Sequence, residues 1–287
     1  MIHPKISIVT PSYNQAQFLE ATIQSILSQN YPNLEYIIID GGSTDGSVEI
    51  IQKYEEQLHF WCSEPDEGQY DAINKGFAHS NGEIMAWLNS DDMYFPWTLR
   101  TVASIMSELP EVEWLTTLHP FTWDWHGFCL ELDQVPGYSK ESFLDNVGYI
   151  QQESTFWQRS LWNKAGKHIS TKFKLAGDFD LWTSFYTFTE LVGVTSPLGG
   201  FRKQMNQKTR QFESYCLEKQ ISLECLRDML QWRPSLSRKL ALHLQLNKIP
   251  KISTFSQPWY GYAGKRIVRE AGDSPRSYWK LEEHMWN

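Results

Sequence analysis

Cysteine is scarce in this sequence and is not arranged for chemistry. The four cysteines, Cys62, Cys129, Cys216 and Cys225, form no CxxC pair, and no histidine cluster accompanies them. The pattern excludes a zinc site or a disulfide framework and predicts free thiols in a reducing compartment.

The sequence also lacks a long apolar run. No stretch approaches the ~20 residues that a membrane-spanning helix needs, and residues 1–5 lead into a predicted strand without a signal peptide. We therefore expect a cytoplasmic protein, and peripheral contact with the inner face of the membrane is left open.

Basic residues are too few for a nucleic-acid-binding protein. The formal net charge is −8, whereas binding to a phosphate backbone requires a positive surface. The phosphate-binding motifs GxxxxGKS/T and GxGxxG are absent as well. The negative net charge is still compatible with an enzyme that binds an anionic substrate through a divalent cation.

The first half of the chain alternates apolar strands with amphipathic helices. Such alternation predicts an α/β fold with a Rossmann-like, mostly parallel sheet and helices on both faces. Beyond residue 212 the chain has a helical pattern, with leucine, methionine and basic residues. We predict a domain over residues 1–211 and a helical C-terminal extension over 212–287. The predicted strands are 6–10, 36–39, 59–63, 84–88 and 113–117.

Polar residues follow three of the predicted strands, at the sheet edge where such folds bind ligands. They are Thr10, Asp40 and the pair Asp91-Asp92. Two adjacent carboxylates are suited to a hard cation such as Mg²⁺ or Mn²⁺, although a helix N-cap would need only one of them. Asp40 can accept a hydrogen bond from a base or a ribose, or it can simply stabilise the glycine turn that follows.

Two acids in the second half are candidates for a general base. Asp178 lies at the start of a predicted helix and Glu153 lies in a Gln-Gln-Glu segment, and spacing alone does not choose between them. Arg202 opens a basic run that could neutralise a leaving diphosphate. The aromatic stretch 114–125 is a candidate wall for an acceptor.

In combination, four segments resemble the large inverting glycosyltransferase family 2, which has the GT-A fold. The resemblance covers roughly the first two-thirds of the chain, and the segments occur in the family's order and spacing. They are ISIVTPSYNQAQFLEATIQSILSQNYPNLEYIIIDGGSTDGS at 6–47, SEPDEGQYDAINKGFAHSNGEIMAWLNSDD at 63–92, QQESTFWQRSLWNKAG at 151–166 and AGDFDLW at 176–182.

The resemblance implies a role for each matched position. Asp92 would ligate a divalent metal, and Gln152 and Arg202 would lie near the donor sugar and diphosphate. Asp178 matches the family's base position, with Glu153 as the competing candidate. Gln204 stands where the family often has a histidine. The nucleotide would be bound by Thr10, Pro11, Tyr13, Asp40, Asp71, Asn74, Lys75 and Asp91.

The implied activity is transfer of a sugar from a nucleoside-diphosphate sugar to an acceptor hydroxyl, with inversion at the anomeric carbon. A UDP-sugar is the expected donor, and a glycan or lipid-linked glycan of a bacterial surface polysaccharide is the expected acceptor. The alternative is a protein with the same fold that binds nucleotide sugars without turning them over.

Overall fold

The computed structural model describes residues 3–204, 211–233, 262–272 and 277–286, with the single positions 236, 240 and 244. Its strands are β1 (Ile6–Ser12), β2 (Leu34–Asp40), β3 (Phe60–Ser63), β4 (Ile84–Trp87), β5 (Met93–Tyr94), β6 (Trp114–Thr117), β7 (Phe121–Trp123), β8 (Cys129–Leu132), β9 (Phe156–Gln158), β10 (Val192–Val194), β11 (Gly199–Arg202), β12 (Tyr262–Ala271) and β13 (Ser277–Trp286). Its helices are α1 (Ala16–Leu27), α2 (Ser47–Lys53), α3 (Gln69–Ala78), α4 (Thr98–Glu108), α5 (Lys140–Leu144), α6 (Arg159–Lys164), α7 (Gly177–Phe185) and α8 (Phe212–Met229).

Nine strands form the main sheet, in the order β13-β12-β10-β6-β9-β4-β1-β2-β3. Strands β4, β1, β2 and β3 run parallel, while β9 is antiparallel to both β4 and β6. All seven residues of β1 are buried, as expected for a central parallel strand that is covered on both faces. The predicted mostly parallel α/β sheet is therefore confirmed.

A second, four-stranded sheet lies beyond the main one, in the order β5-β11-β7-β8. Its strand β11 pairs with β5, which directly follows Asp91 and Asp92 in the chain. Consequently β11 and the residues after it are held beside the acidic end of β4.

Four fully buried tryptophans form the centre of the core. Trp87 of β4 stacks on Trp182 of α7 with ring centroids 5.8 Å apart, and Trp157 contacts both rings edge-on. Trp114 packs on the other side of Trp182. These contacts fix α7 against the strand that leads to Asp91 and Asp92.

The prediction of a helical C-terminal region is wrong for its last part. Helix α8 is present, but β12 and β13 form an antiparallel hairpin, and β12 pairs in parallel with β10. Residues 265–269, which lie in the predicted helical extension, pair across the hairpin instead: Arg266 contacts Glu282 at 2.7 Å. Pairing with a distant strand outweighs local propensity here. The division of the chain at residue 212 stays a prediction.

Among the described helices, we find none with the length and apolar character required to cross a membrane. The part of the predicted helical extension between residues 233 and 262 lies, apart from positions 236, 240 and 244, outside the described residues.

Candidate active site

A cavity of about 1070 Å³ opens at the carboxyl ends of β1 and β4. This volume lies just above the ~300–1,000 Å³ that small-molecule sites usually have. Its acidic lining residues are Asp66, Asp91, Asp92, Glu153 and Asp178.

Asp92 is buried at the centre of this acidic group. Its Oδ1 accepts a hydrogen bond from the backbone N–H of Arg202 at 2.8 Å, and its Oδ2 accepts one from Asn89 Nδ2 at 3.2 Å. Burial, followed by the nearby charges of Asp91 and Glu153, raises the pKa of Asp92 well above its ordinary value. A carboxylate in this state gains strongly from a cation that enters the cavity.

Asp91 is held by β11 and by the residues that follow it in the chain. Gln204 Nε2 donates to Asp91 Oδ2 at 2.6 Å, and the Nε of Arg202 donates to the Asp91 carbonyl oxygen at 2.7 Å. The Arg202 guanidinium also donates to the carbonyl oxygens of Asp124 and Trp125. Arg202 is therefore buried as a support for the acidic loop and does not line the cavity, whereas Gln204 does.

Glu153 lies within the same acidic group, in a short 3-10 turn at Gln152–Ser154. Burial is the main cause that raises its pKa to about 7, and the charges of Asp91 and Asp178 add to the effect. Beside it, Gln152 donates to the Trp87 carbonyl oxygen at 2.8 Å and accepts from Asn89. Glu153 thus interacts with Asp91, Asp92 and Asp178.

The donor set around Asp92 fits a hard divalent cation, because carboxylate and amide oxygens are the ligands that Mg²⁺ and Mn²⁺ prefer. Within the described residues, no three His, Cys, Asp or Glu side chains are grouped closely enough to hold a metal alone. Mg²⁺ is commonly held by one or two carboxylates together with substrate phosphates, and the arrangement suits that mode.

Asp178 occupies the first turn of α7 and lines the same cavity. Burial is the main cause that raises its pKa to about 6. Its Oδ1 atom is buried and has no hydrogen-bond partner in the described part of the chain. A carboxylate with a pKa near neutrality and an unused acceptor atom, on the wall of a cavity, is equipped to accept a proton.

Five of the residues predicted to bind nucleotide do not line the cavity: Thr10, Asp40, Asp71, Asn74 and Lys75. Asp40 is buried and accepts hydrogen bonds from Gly42 N, from Ser43 N and Oγ, and from Ser63 Oγ, so it stabilises the turn after β2. Thr10 pairs with the Tyr36 hydroxyl at 3.1 Å.

The other three predicted residues belong to α3 and support neighbouring loops. Asp71 accepts from Glu67 N and forms an ion pair with Lys75 at 3.2 Å. Asn74 exchanges two hydrogen bonds with the backbone of Ile169. By contrast, the predicted residues Pro11, Tyr13 and Asp91 do line the cavity.

Asp66 is a site residue that the sequence reasoning did not single out. A Cβ placed on Gly41 would lie 2.8 Å from Asp66 Oδ2 and 3.3 Å from the ring of Tyr13. Its position in the sequence could have indicated this role, because Asp66 follows β3 at the same sheet edge as Asp40. The absence of a side chain at Gly41 brings Asp66 and the exposed Tyr13 ring to one end of the cavity.

The aromatic stretch 114–125 does not form a cavity wall, because Trp114 is fully buried and only Thr122 of this stretch lines the cavity. Its strands pair within the two sheets, and Trp125 is exposed outside the cavity. The aromatic residues that line the cavity besides Tyr13 are instead Tyr70, Trp87, Tyr149, Phe201, Phe212 and Tyr215.

The fold is that of GT-A glycosyltransferases. Residues 7–122 match the model of Glycosyl transferase family 2, which confirms the resemblance seen in the sequence.

Relatives of known sequence agree with this assignment. Rv1514c, an uncharacterized glycosyltransferase of Mycobacterium tuberculosis, is 32% identical over 183 residues, which are 61% of this chain and 66% of the relative. TuaG of Bacillus subtilis, whose name provisionally assigns it to teichuronic acid biosynthesis, is 40% identical over 94 residues, 32% of this chain and 37% of the relative. The matches thus span just under two thirds of the first relative and little more than a third of the second.

Solved structures show the same fold at low sequence identity. Staphylococcus aureus TarS 1-349 in complex with UDP-GlcNAc gives a TM-score of 0.59 at 18% identity, covering 86% of this chain and 77% of TarS. The mannosyltransferase PcManGT of Pyrobaculum calidifontis, in complex with GDP-Man and Mn²⁺, gives 0.53 at 16%, covering 89% of this chain and 84% of that one.

The raised pKa of Asp178 predicts a pH-dependent loss of stability. Between its ordinary pKa of 3.8 and its folded-state pKa of about 6, the unfolded chain releases a proton that the folded protein keeps. The free energy of unfolding must therefore fall as pH rises through this window. Asp178→Asn should flatten that fall and raise the free energy of unfolding at pH 7 by on the order of 2 kcal/mol.

Urea unfolding between pH 4 and 8 measures this effect. Asp228→Asn is the matched control, because Asp228 is exposed on α8. An Asp178→Asn protein that is less stable than the wild type at pH 7, or that keeps the same pH slope, would contradict the assigned shift.

Proposed function

We propose that the chain transfers a sugar from a UDP-sugar to a hydroxyl group of a glycan, with inversion at the anomeric carbon. The observation that carries this proposal is that Asp178 lines the same cavity as Asp91 and Asp92. A single displacement requires a base for the acceptor and cation-binding acids for the leaving group in one site.

Asp178 is the proposed base. Its unpartnered Oδ1 accepts the proton of the acceptor hydroxyl, and that oxygen bonds to the anomeric carbon as the bond to the nucleoside diphosphate breaks. The electron pair of the broken bond leaves on the diphosphate. Glu153 is less suited to this step, because its carboxyl group interacts with Asp91 and Asp92, the proposed cation-binding acids.

Asp92, with Asp91 beside it, is proposed to hold Mn²⁺ or Mg²⁺ at the diphosphate. When bound there, the cation neutralises the charge that develops on the leaving group. The Mn²⁺ in the PcManGT complex supports the proposal by likeness of fold alone. Arg202 contributes by holding Asp91 and Asp92 in place, since its guanidinium is engaged with backbone carbonyls.

Synthesis of a bacterial surface polysaccharide stays part of this proposal, and the name of TuaG supports it. A cytoplasmic location and contact with the membrane surface are likewise predictions.

Turnover can be tested with UDP-, GDP- and dTDP-sugars in Mn²⁺, Mg²⁺ or EDTA. We expect nucleoside diphosphate release from one UDP-sugar, and a loss of at least about 100-fold in EDTA and in Asp92→Asn. Asp228→Asn is the control, because Asp228 is exposed on α8 and does not line the cavity. Undiminished release in EDTA would contradict the metal role, and tight nucleotide binding without release from any donor would favour the non-catalytic alternative.

We propose that Asp66 forms a hydrogen bond with the uracil base of the donor, and that Tyr13 stacks on this base. The N3–H of uracil donates to a carboxylate, whereas N3 of cytosine is itself an acceptor and is repelled. Both residues lie close to Gly41 and line the cavity.

This assignment predicts a change in base preference. Asp66→Asn should weaken UDP binding by about tenfold and reduce the preference for UDP over CDP, because an amide can donate to cytosine. Calorimetric titration of both nucleotides measures the effect, with Glu67→Gln as the exposed neighbouring control. An unchanged UDP-to-CDP ratio in Asp66→Asn would move base recognition elsewhere.

The acceptor is proposed to bind along Tyr149 and Phe212, because aromatic faces pack well on sugar rings and both side chains are exposed on the cavity wall. Phe212→Ala should raise the acceptor KM by about five- to tenfold and leave the donor KM unchanged. Phe188→Ala is the matched control, since Phe188 is exposed outside the cavity. A change in the donor KM alone would place Phe212 on the donor side.

A further inference from the structure

The segment before α7 is held by one carboxylate of α8. Glu218 Oε1 accepts a hydrogen bond from Lys174 N at 3.0 Å, and Glu218 Oε2 accepts from Leu175 N and Ala176 N, both at 2.8 Å. Three successive backbone N–H groups that point at one anion form a small nest of positive charge. The Glu218 carboxylate is thus the anion that binds these three N–H groups.

Helix α7 depends on this arrangement for its starting position. Its N-cap residue, Ala176, has no side chain that could cap the helix. From the opposite side, the Tyr70 hydroxyl donates to the Leu175 carbonyl oxygen at 2.8 Å, and a Cβ on Gly177 would lie 2.7 Å from the Tyr70 ring. The turn that precedes Asp178 is therefore clamped between α3 and α8.

Further contacts of α8 concentrate on the same turn of α7. Ser222 Oγ donates to Asp180 Oδ1 at 2.6 Å, and Lys219 Nζ lies 4.9 Å from the centre of the Phe179 ring. The charge of Lys219 also favours the ionised form of Asp178. Helix α8 lies outside the segment that matches the family model, residues 7–122.

We propose that Glu218 is a positioning residue for the reaction: by binding the N–H groups of residues 174–176, it fixes where the Asp178 carboxylate stands relative to the acceptor hydroxyl. This inference rests on the proposed function of Asp178. A displacement of about 1 Å at a reacting group can reduce a rate by about 100-fold, so a hydrogen-bonded carboxylate outside the cavity can control turnover. Glu218 itself does not line the cavity.

The test compares Glu218→Gln with Glu224→Gln in the full chain. Glutamine replaces one acceptor oxygen by an NH₂ group that faces backbone N–H groups, whereas Glu224 bonds only to Gln220 on the same exposed side of α8 in the described contacts. We expect kcat for sugar transfer or donor hydrolysis to fall about 10- to 100-fold in Glu218→Gln alone. The donor KM and the affinity for UDP should change less than twofold.

A double variant separates positioning from general destabilisation. In an Asp178→Asn background, Glu218→Gln should cause almost no further loss, because the group it positions is already gone. Three results would overturn the inference. They are a full additional loss of kcat in the Asp178→Asn background, a loss confined to UDP affinity, and a kcat in Glu218→Gln equal to that in Glu224→Gln.

Amide hydrogen exchange provides a readout that needs no turnover. The N–H groups of residues 174–176 should exchange at least tenfold faster in Glu218→Gln than in Glu224→Gln, at equal melting temperature. If the wild type binds UDP but releases none from any donor, the proposed function fails. Unchanged exchange at 174–176 would overturn the clamp itself in either case.

Discussion

The burial of carboxyl groups around one cavity is the constraint on which the rest of the site depends. Asp91, Asp92, Glu153 and Asp178 line this cavity, and burial raises the pKa of the last three. Such a group is unfavourable for folding, so the surrounding structure has to hold it in place. The same concentration of acids makes the cavity attractive to a divalent cation.

Rigid supports surround the acids on each side. Arg202 binds the loop of Asp91 and Asp92 through its backbone N–H and its guanidinium, and the tryptophan stack between β4 and α7 sets the distance between that loop and Asp178. Glu218 completes the arrangement from α8. The polar contacts are formed before any substrate enters, which is the preorganisation that transfer chemistry exploits.

The fold and the acidic edge could be predicted from the sequence because both follow local rules. Apolar runs such as residues 6–10 and 84–88 specify buried parallel strands, and parallel strands bring the residues after them to one edge. The structure places Asp91, Asp92 and Pro11 there as expected. Asp178 and Glu153 also reach the cavity, although nothing in their spacing required it.

The remaining features depend on contacts between distant residues, which no local pattern encodes. The same rule, that an acid after a strand binds ligand, located Asp92 and also selected Asp40. The Asp40 carboxylate, however, accepts hydrogen bonds from Ser43 in its own turn. Asp66 gains its place only because position 41 has no side chain. The hairpin of β12 and β13 forms because β10 offers an open edge, and a local count of basic and apolar residues cannot reveal that edge.

The central claim is that Asp178 removes the proton from the acceptor, and the pH dependence of kcat tests it most directly. The account predicts that wild-type turnover declines on the acid side with an apparent pKa near 6, that Glu153→Gln keeps this decline, and that Asp178→Asn lowers kcat by about 10²- to 10⁴-fold. A kcat that survives in Asp178→Asn with its acid limb intact, while Glu153→Gln abolishes the limb, would contradict it and assign the base to Glu153.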